Sequence, residues 1–319
     1  MPATIYAVAG GKGGVGKTTT AANLAATLRA TGREVALVDA DLAMSNLQDV
    51  IGISAEPTLH DVLGGEADLE TAMVRESADA MDVEGRLDVL PGATDLDAFA
   101  RADPEELPGV VDRLTGEYDA VVLDTASGIT RETAIPIQLA DETIVVTTPA
   151  EAAVLDAEKT AQFVENVGGS VTGLVVSRLC PGPSDDGIAD RVGVDHLATV
   201  PDLDDPEVDR LRPYRTLIVH LLIGRDVATD PAEVLDIDPG TTPRITDTLA
   251  EPSTGDATDE AAPAPDAEAD GATGAAAADG GGRATIDATL EDEDEAASEP
   301  HERKWRLNRF VDAISGSGN

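Results

Sequence analysis

Residues 11–18 read GKGGVGKT, and no other stretch restricts the fold of this chain so tightly. The pattern G-x-x-x-x-G-K-[ST] forms a loop whose backbone N–H groups cradle phosphate, provided that a strand leads in and a helix leads out. Both neighbours are legible in the sequence. Ile5–Ala9 is a short apolar run, and Thr19–Ala30 carries a helical pattern. Glycines let the loop curl, and the helix N-terminus adds its positive end. Lys17 is then placed to neutralise β- and γ-phosphate oxygens, and Thr18 to offer a hydroxyl to Mg2+.

Apolar runs of the same kind recur at Val35–Val38, Leu87–Leu90, Ala120–Leu123, Thr143–Thr147, Leu174–Ser177 and Leu197–Val200. Continuous apolar runs of this length suit strands buried on both faces. Helical patterns at Pro104–Leu114 and Glu151–Val167 lie between them. The alternation predicts an α/β domain over residues 1–250, with a mostly parallel, doubly wound sheet and helices on both faces. The stretch TLIVHLLIG at 216–224 reads as a last helix or a strand, with the helix favoured.

Charge sets the surroundings in which this domain works. There are 62 acidic and 22 basic residues, a formal net charge of −40. Self-repulsion on that scale works against the compact state. Molar salt screens charges to about 3 Å, so the composition points to a halophile cytosol. Cys180 is the single cysteine, which excludes an internal disulfide or a Cys-x-x-Cys site. No run approaches the roughly 18 apolar residues of a membrane span, and the start, MPATIYAVAGG, is unlike a signal peptide. The expectation is a cytoplasmic protein.

Two further segments follow. Residues 251–300 are Ala, Gly, Asp, Glu, Pro and Thr with hardly any large apolar side chain, too little to offset ordering entropy. A disordered acidic linker is expected there. Residues 301–319 regain positive charge through Arg303, Lys304, Arg306 and Arg309. Within them Leu307, Phe310, Val311 and Ile314 fall on one face of a helix. An amphipathic basic helix is expected, made to meet something apolar.

The phosphate loop holds a second lysine, Lys12. Only four lysines occur, Lys12, Lys17, Lys159 and Lys304, so two of them sit in one loop. A lysine kept where arginine dominates suggests work that arginine cannot do. The whole stretch GGKGGVGKTTTAANLA resembles the deviant Walker A motif of the MinD/ParA ATPases, and the resemblance covers most of residues 1–200. It implies ATP and Mg2+ held by Gly11, Lys12, Gly13, Gly14, Val15, Gly16, Lys17, Thr18 and Thr19. It also implies an ATP-dependent homodimer in which Lys12 reaches the partner's nucleotide.

Three more stretches carry the likeness. VALVDADLAMSNL at 35–47 resembles the family's first switch, which would make Asp39 a Mg2+ residue acting through water and Asp41 the residue that orients the attacking water. YDAVVLDTASGI at 118–129 resembles Walker B and the second switch, with Asp124 toward the Mg2+ water shell and Gly128 at the switch glycine. The family's usual proline two residues after the aspartate is replaced by Ala126, followed by Ser127. In TTPAEAAVLDAEKTAQF at 147–163, Asp156 is a candidate partner for Lys12 when nucleotide is absent. GLVVSR at 173–178 puts Ser177 where the family often has asparagine and leaves Arg178 to lie against the base.

Within such a superfamily the job is argued from the rest of the chain. One cysteine speaks against the iron–sulfur, nitrogenase-type and arsenite branches. DNA partition relies on Lys/Arg patches, and the globular part of this acidic chain has no basic cluster, so nucleic acid is an unfavoured partner. The tail resembles the membrane-targeting helix of MinD-type proteins. That implies a peripheral location on the inner face of the cell membrane, with an apolar face in the headgroup boundary and arginines on anionic lipid. An unknown protein cargo and activator complete the expectation. A scaffold with little turnover and a partition ATPase remain the alternatives.

Overall fold

The computed structural model describes residues 2–75, 85–179, 187–201 and 212–222. Seven strands lie among them: β1 (Thr4–Gly10), β2 (Glu34–Ala40), β3 (Arg86–Leu90), β4 (Ala120–Ser127), β5 (Glu142–Thr147), β6 (Val171–Leu179) and β7 (His196–Pro201). The helices there are α1 (Lys17–Ala30), α2 (Leu47–Ile51), α3 (Leu59–Leu63), α4 (Leu69–Ala72) and α5 (Leu96–Arg101). They continue with α6 (Leu107–Thr115), α7 (Arg131–Leu139), α8 (Glu151–Asn166), α9 (Ile188–Val192) and α10 (Arg212–Leu222). The acidic linker at 251–300 and the basic segment at 301–319, with Arg306, Leu307, Arg309, Phe310, Val311 and Ile314, lie outside the described residues.

The seven strands form one sheet in the order β3-β2-β4-β1-β5-β6-β7, and every pairing is parallel. Alternation along each strand divides its side chains between two faces. Val35 and Leu37 of β2 join one core with Leu24 and Leu28 of α1 and Leu217 of α10. Ala36 and Val38 join the opposite core with Leu59 of α3 and Leu107, Val110, Val111 and Leu114 of α6. Those last four fall at i, i+3, i+4 and i+7, the buried stripe of an amphipathic helix. Burying a leucine such as Leu24 contributes about 1.5–3 kcal/mol, and Leu24→Ala should cost about 2–5 kcal/mol through the cavity it leaves.

All seven strands read from the sequence are present, each extended by one to a few residues. The helix expected at Pro104–Leu114 begins at Leu107, because Asp103 accepts from the Glu105 N–H at 3.0 Å and Pro104–Glu106 tightens into a 3-10 turn. The stretch from 216, where the sequence favours a helix, is helical through Leu222, within α10. Among the described residues no helix is long and apolar enough to cross a membrane.

Strand order places the site. From β1 the chain crosses through α1 toward β2, whereas from β4 it crosses through α7 toward β5. The two connections leave in opposite directions, so a crevice opens beyond the carboxyl ends of β1 and β4. The loop 11–16 and residues 124–128 meet there.

Candidate nucleotide site

The phosphate loop is shaped by close contact and by backbone handedness. A Cβ at Gly11 would lie 2.7 Å from the Asp156 carbonyl and 2.8 Å from Thr160 Oγ1, so only glycine lets the loop rest on α8. Gly16 caps α1 with φ 93°, in the left-handed region. Its missing side chain gives α1 no side-chain cap, and the first turn carries no acidic residue. The first N–H groups and the positive end of a 14-residue helix are thus left at the crevice uncapped by the helix's own side chains. Lys12, Gly13, Gly14 and Thr19 are exposed, Gly11, Gly16 and Thr18 half-buried, and Val15 and Lys17 buried.

Both side chains that the motif assigns to ligands are held from the switch segments. Lys17 Nζ donates to Ser127 Oγ at 2.5 Å. Burial pulls the Lys17 pKa down, opposed by the charges of Asp124 and Asp41. Thr18 Oγ1 donates to Asn46 Oδ1 at 2.8 Å, which spends the hydroxyl proton and leaves its lone pairs to face a cation.

Asp39 and Asp124 stand opposite each other in the β2–β4 register, both with no exposure. Asp39 shapes the first switch, since Oδ2 accepts from the Leu47 N–H at 3.1 Å and Oδ1 from the Asp41 N–H at 3.3 Å. Burial first, and the Asp124 charge second, push its carboxyl well above the usual range. Asp41 is half-buried and caps the next turn, its Oδ1 accepting from Met44 N–H at 3.1 Å. His60 braces this segment: its Nδ1 accepts from Ala93 N–H at 3.0 Å, so Nε2 carries the proton toward the Leu42 carbonyl at 2.9 Å.

Asp124 is different. Neither of its buried oxygens has a hydrogen-bond partner among the described residues. Burial pushes its carboxyl up to about 7, with nearby Thr18 and Lys17 acting in the opposite direction. A desolvated carboxylate without a partner is costly, and a cation is what removes that cost. Among the described residues no three or more acidic, histidine or cysteine side chains cluster as a metal cage. Mg2+ takes one or two carboxylates and keeps waters and substrate phosphates as its other ligands. The residues present fit Mg2+ with a phosphate chain.

One expectation is revised. Asp156 pairs with Lys159 at 3.3 Å, three residues along the same helix, rather than with Lys12. Ser177 is buried under the loop, and its hydroxyl is hydrogen-bonded to the Val15 carbonyl, with the Thr147 carbonyl at 3.1 Å as an alternative acceptor. Ser177 therefore braces the loop and has no proton left for a base. Arg178 follows it, exposed, with φ 53°. Ser127 and Asn46 were not singled out as site residues from sequence. The signal for Ser127 was the departure from the family's second switch, and for Asn46 its place in an Asn-Leu pair.

The model of the CobQ/CobB/MinD/ParA nucleotide-binding domain matches residues 6–205. The chain is 35% identical over 224 residues to an uncharacterized ATP-binding protein of Methanocaldococcus jannaschii, spanning 69% of this chain and 81% of that protein. It is 37% identical over 160 residues to the septum site-determining protein MinD of Bacillus subtilis, spanning 50% of this chain and 58% of the relative. MinD of Pyrococcus horikoshii, solved as a complex with Mg-ADP, superposes with a TM-score of 0.61 at 30% identity, over 70% of this chain and 100% of that one. A cobyrinic acid a,c-diamide synthase of Mycobacterium smegmatis with an ATP analogue and magnesium superposes at 0.55 with 26% identity, over 71% of this chain and 98% of that one. This chain belongs to the MinD/ParA family of P-loop ATPases.

Proposed function

We propose that the chain is a MinD-like ATPase that binds Mg-ATP at the crevice of β1 and β4, dimerises on ATP and meets the membrane through residues 301–319. The observation that carries the nucleotide reading is Asp124, buried beside Lys17 and Thr18 with no hydrogen-bond partner to either oxygen among the described residues. In this reading the loop N–H groups from Gly11 to Thr19 hold the phosphates and Lys17 neutralises the β- and γ-oxygens. Thr18, Asp39 and Asp124 hold Mg2+, directly or through its waters. When bound, Mg2+ neutralises charge that builds on the transferred phosphoryl group. Asp41 orients the attacking water, Lys12 reaches the partner's nucleotide, and Arg178 lies against the base.

The tail gives the cycle its direction. One short amphipathic helix binds lipid weakly, and two joined by an ATP-driven dimer bind far more tightly through effective concentration. Hydrolysis then acts as a release timer, and the cycle positions other cellular machinery from the inner face of the membrane. Liposome co-sedimentation in high-salt buffer tests this with the intact chain and one ending at Pro300. Binding with ATP and not ADP, lost on truncation, is expected. Equal binding in both nucleotides sinks the timer.

One observation favours a second reading. The second switch carries Ala126 and Ser127 in place of the family's proline, and Ser127 engages Lys17. A scaffold that binds ATP and recruits a protein partner would release no phosphate even with liposomes, whereas the ATPase would.

A further inference from the structure

Ser127 ends β4 and stands opposite Gly10 in the β1 register, directly before the phosphate loop begins. The Lys17 ammonium has three donors and no acceptor, so at 2.5 Å the Ser127 oxygen is the acceptor. A hydroxyl that accepts keeps its own proton to give, and an ammonium on its oxygen polarises the O–H and strengthens it as a donor. The next residue, Gly128, has φ 92°, so the backbone turns sharply away after the hydroxyl.

We propose that Ser127 is a phosphate-contacting residue: aligned by Lys17, its hydroxyl donates to the terminal phosphoryl group of ATP. The geometry requires no new movement of the lysine, since the ammonium that neutralises that phosphate is already beside the hydroxyl. ADP lacks the group and leaves the proton unused, so Ser127 separates ATP from ADP and passes the difference to the segment that starts at Gly128. Alanine has no donor to offer, and threonine keeps one. The proposal rests on the reading of the crevice as a Mg-ATP site.

The test uses the intact chain as wild type, Ser127→Ala and Ser127→Thr. Each is titrated calorimetrically with Mg-ADP and with Mg and a non-hydrolysable ATP analogue, and each is assayed for kcat and KM. A hydrogen bond to a charged group is lost in Ser127→Ala, so affinity for the analogue should fall about tenfold or more while ADP affinity is kept. Turnover should fall with it, and Ser127→Thr should restore both. Equal weakening of ADP and analogue would mean that Ser127 only holds Lys17, and unchanged affinities would remove any role; either overturns the proposal. A wild type that binds without turnover refutes the hydrolysis reading, and the ratio of affinities still decides Ser127.

Discussion

Two aspartates lie fully buried on strands of the same sheet, Asp88 on β3 and Asp124 on β4. Asp88 is surrounded by donors. Tyr118 donates its hydroxyl to Oδ2 at 2.7 Å, and Arg75 and Arg86 approach the same oxygen at 3.3 and 3.5 Å. Arg86 also lies over the Tyr118 ring, 5.1 Å from its centre. Asp124 is as deeply buried, with Lys17 and Thr18 nearby, yet neither of its oxygens has a hydrogen-bond partner among the described residues. The first carboxylate is satisfied by the fold and serves it by tying the sheet's edge strand to the segment before β4. The second costs the fold stability, and that cost makes sense only if something outside the chain offsets it. Burial alone does not mark a functional acid; burial without partners does.

Exchanging each acid for its amide separates the two roles. Asp124→Asn should lower ATP turnover by about 100-fold or more, while at pH 8 its urea midpoint rises above that of the wild type, because a partnerless buried charge has been removed. Asp88→Asn should do the reverse, costing roughly 2 kcal/mol in urea unfolding with nucleotide affinity kept. Parallel losses of stability in both variants would break the comparison.

Titration sharpens it further. The Asp124 carboxyl titrates at about 7 in the fold and near 4 in an unfolded chain. A pKa raised by folding means that the folded chain holds the proton more tightly. The stability this supplies is fully present below about pH 4 and lost as pH rises through about 7. Without Mg2+ and nucleotide, wild-type stability measured relative to Asp124→Asn should therefore decline across that window. Mg2+ requires the ionised carboxylate, so its affinity should climb over the same range. A pH-independent difference would contradict the assignment. The smallest effect is expected at the structural acid, where Tyr118→Phe deletes one hydrogen bond and should cost about 1 kcal/mol.

Much of this was legible in the residues. The strands read clearly because a parallel sheet covered on both faces needs continuous apolar runs such as Val35–Val38 and Ala120–Leu123. The short helices α2, α3, α4, α5 and α9 did not, since four to six residues span less than two turns of about 3.6 residues and cannot show a repeating pattern. The loop motif fixed Lys17 and Thr18, and the likeness to a family pointed to Asp39, Asp41 and Asp124. What no pattern carries is the partner of each side chain. That Ser127 accepts from Lys17, that Asn46 takes the Thr18 proton and that Asp156 turns to Lys159 depend on how β4, the first switch and α8 converge in space.

The most direct measurement is Mg2+-dependent ATP turnover of the intact chain beside Asp124→Asn, with urea midpoints taken on the same preparations at pH 8. The account predicts a wild type that releases phosphate only with Mg2+, and a variant that is inactive and at least as stable. An Asp124→Asn chain that keeps turnover, or that loses stability as Asp88→Asn does, would contradict it.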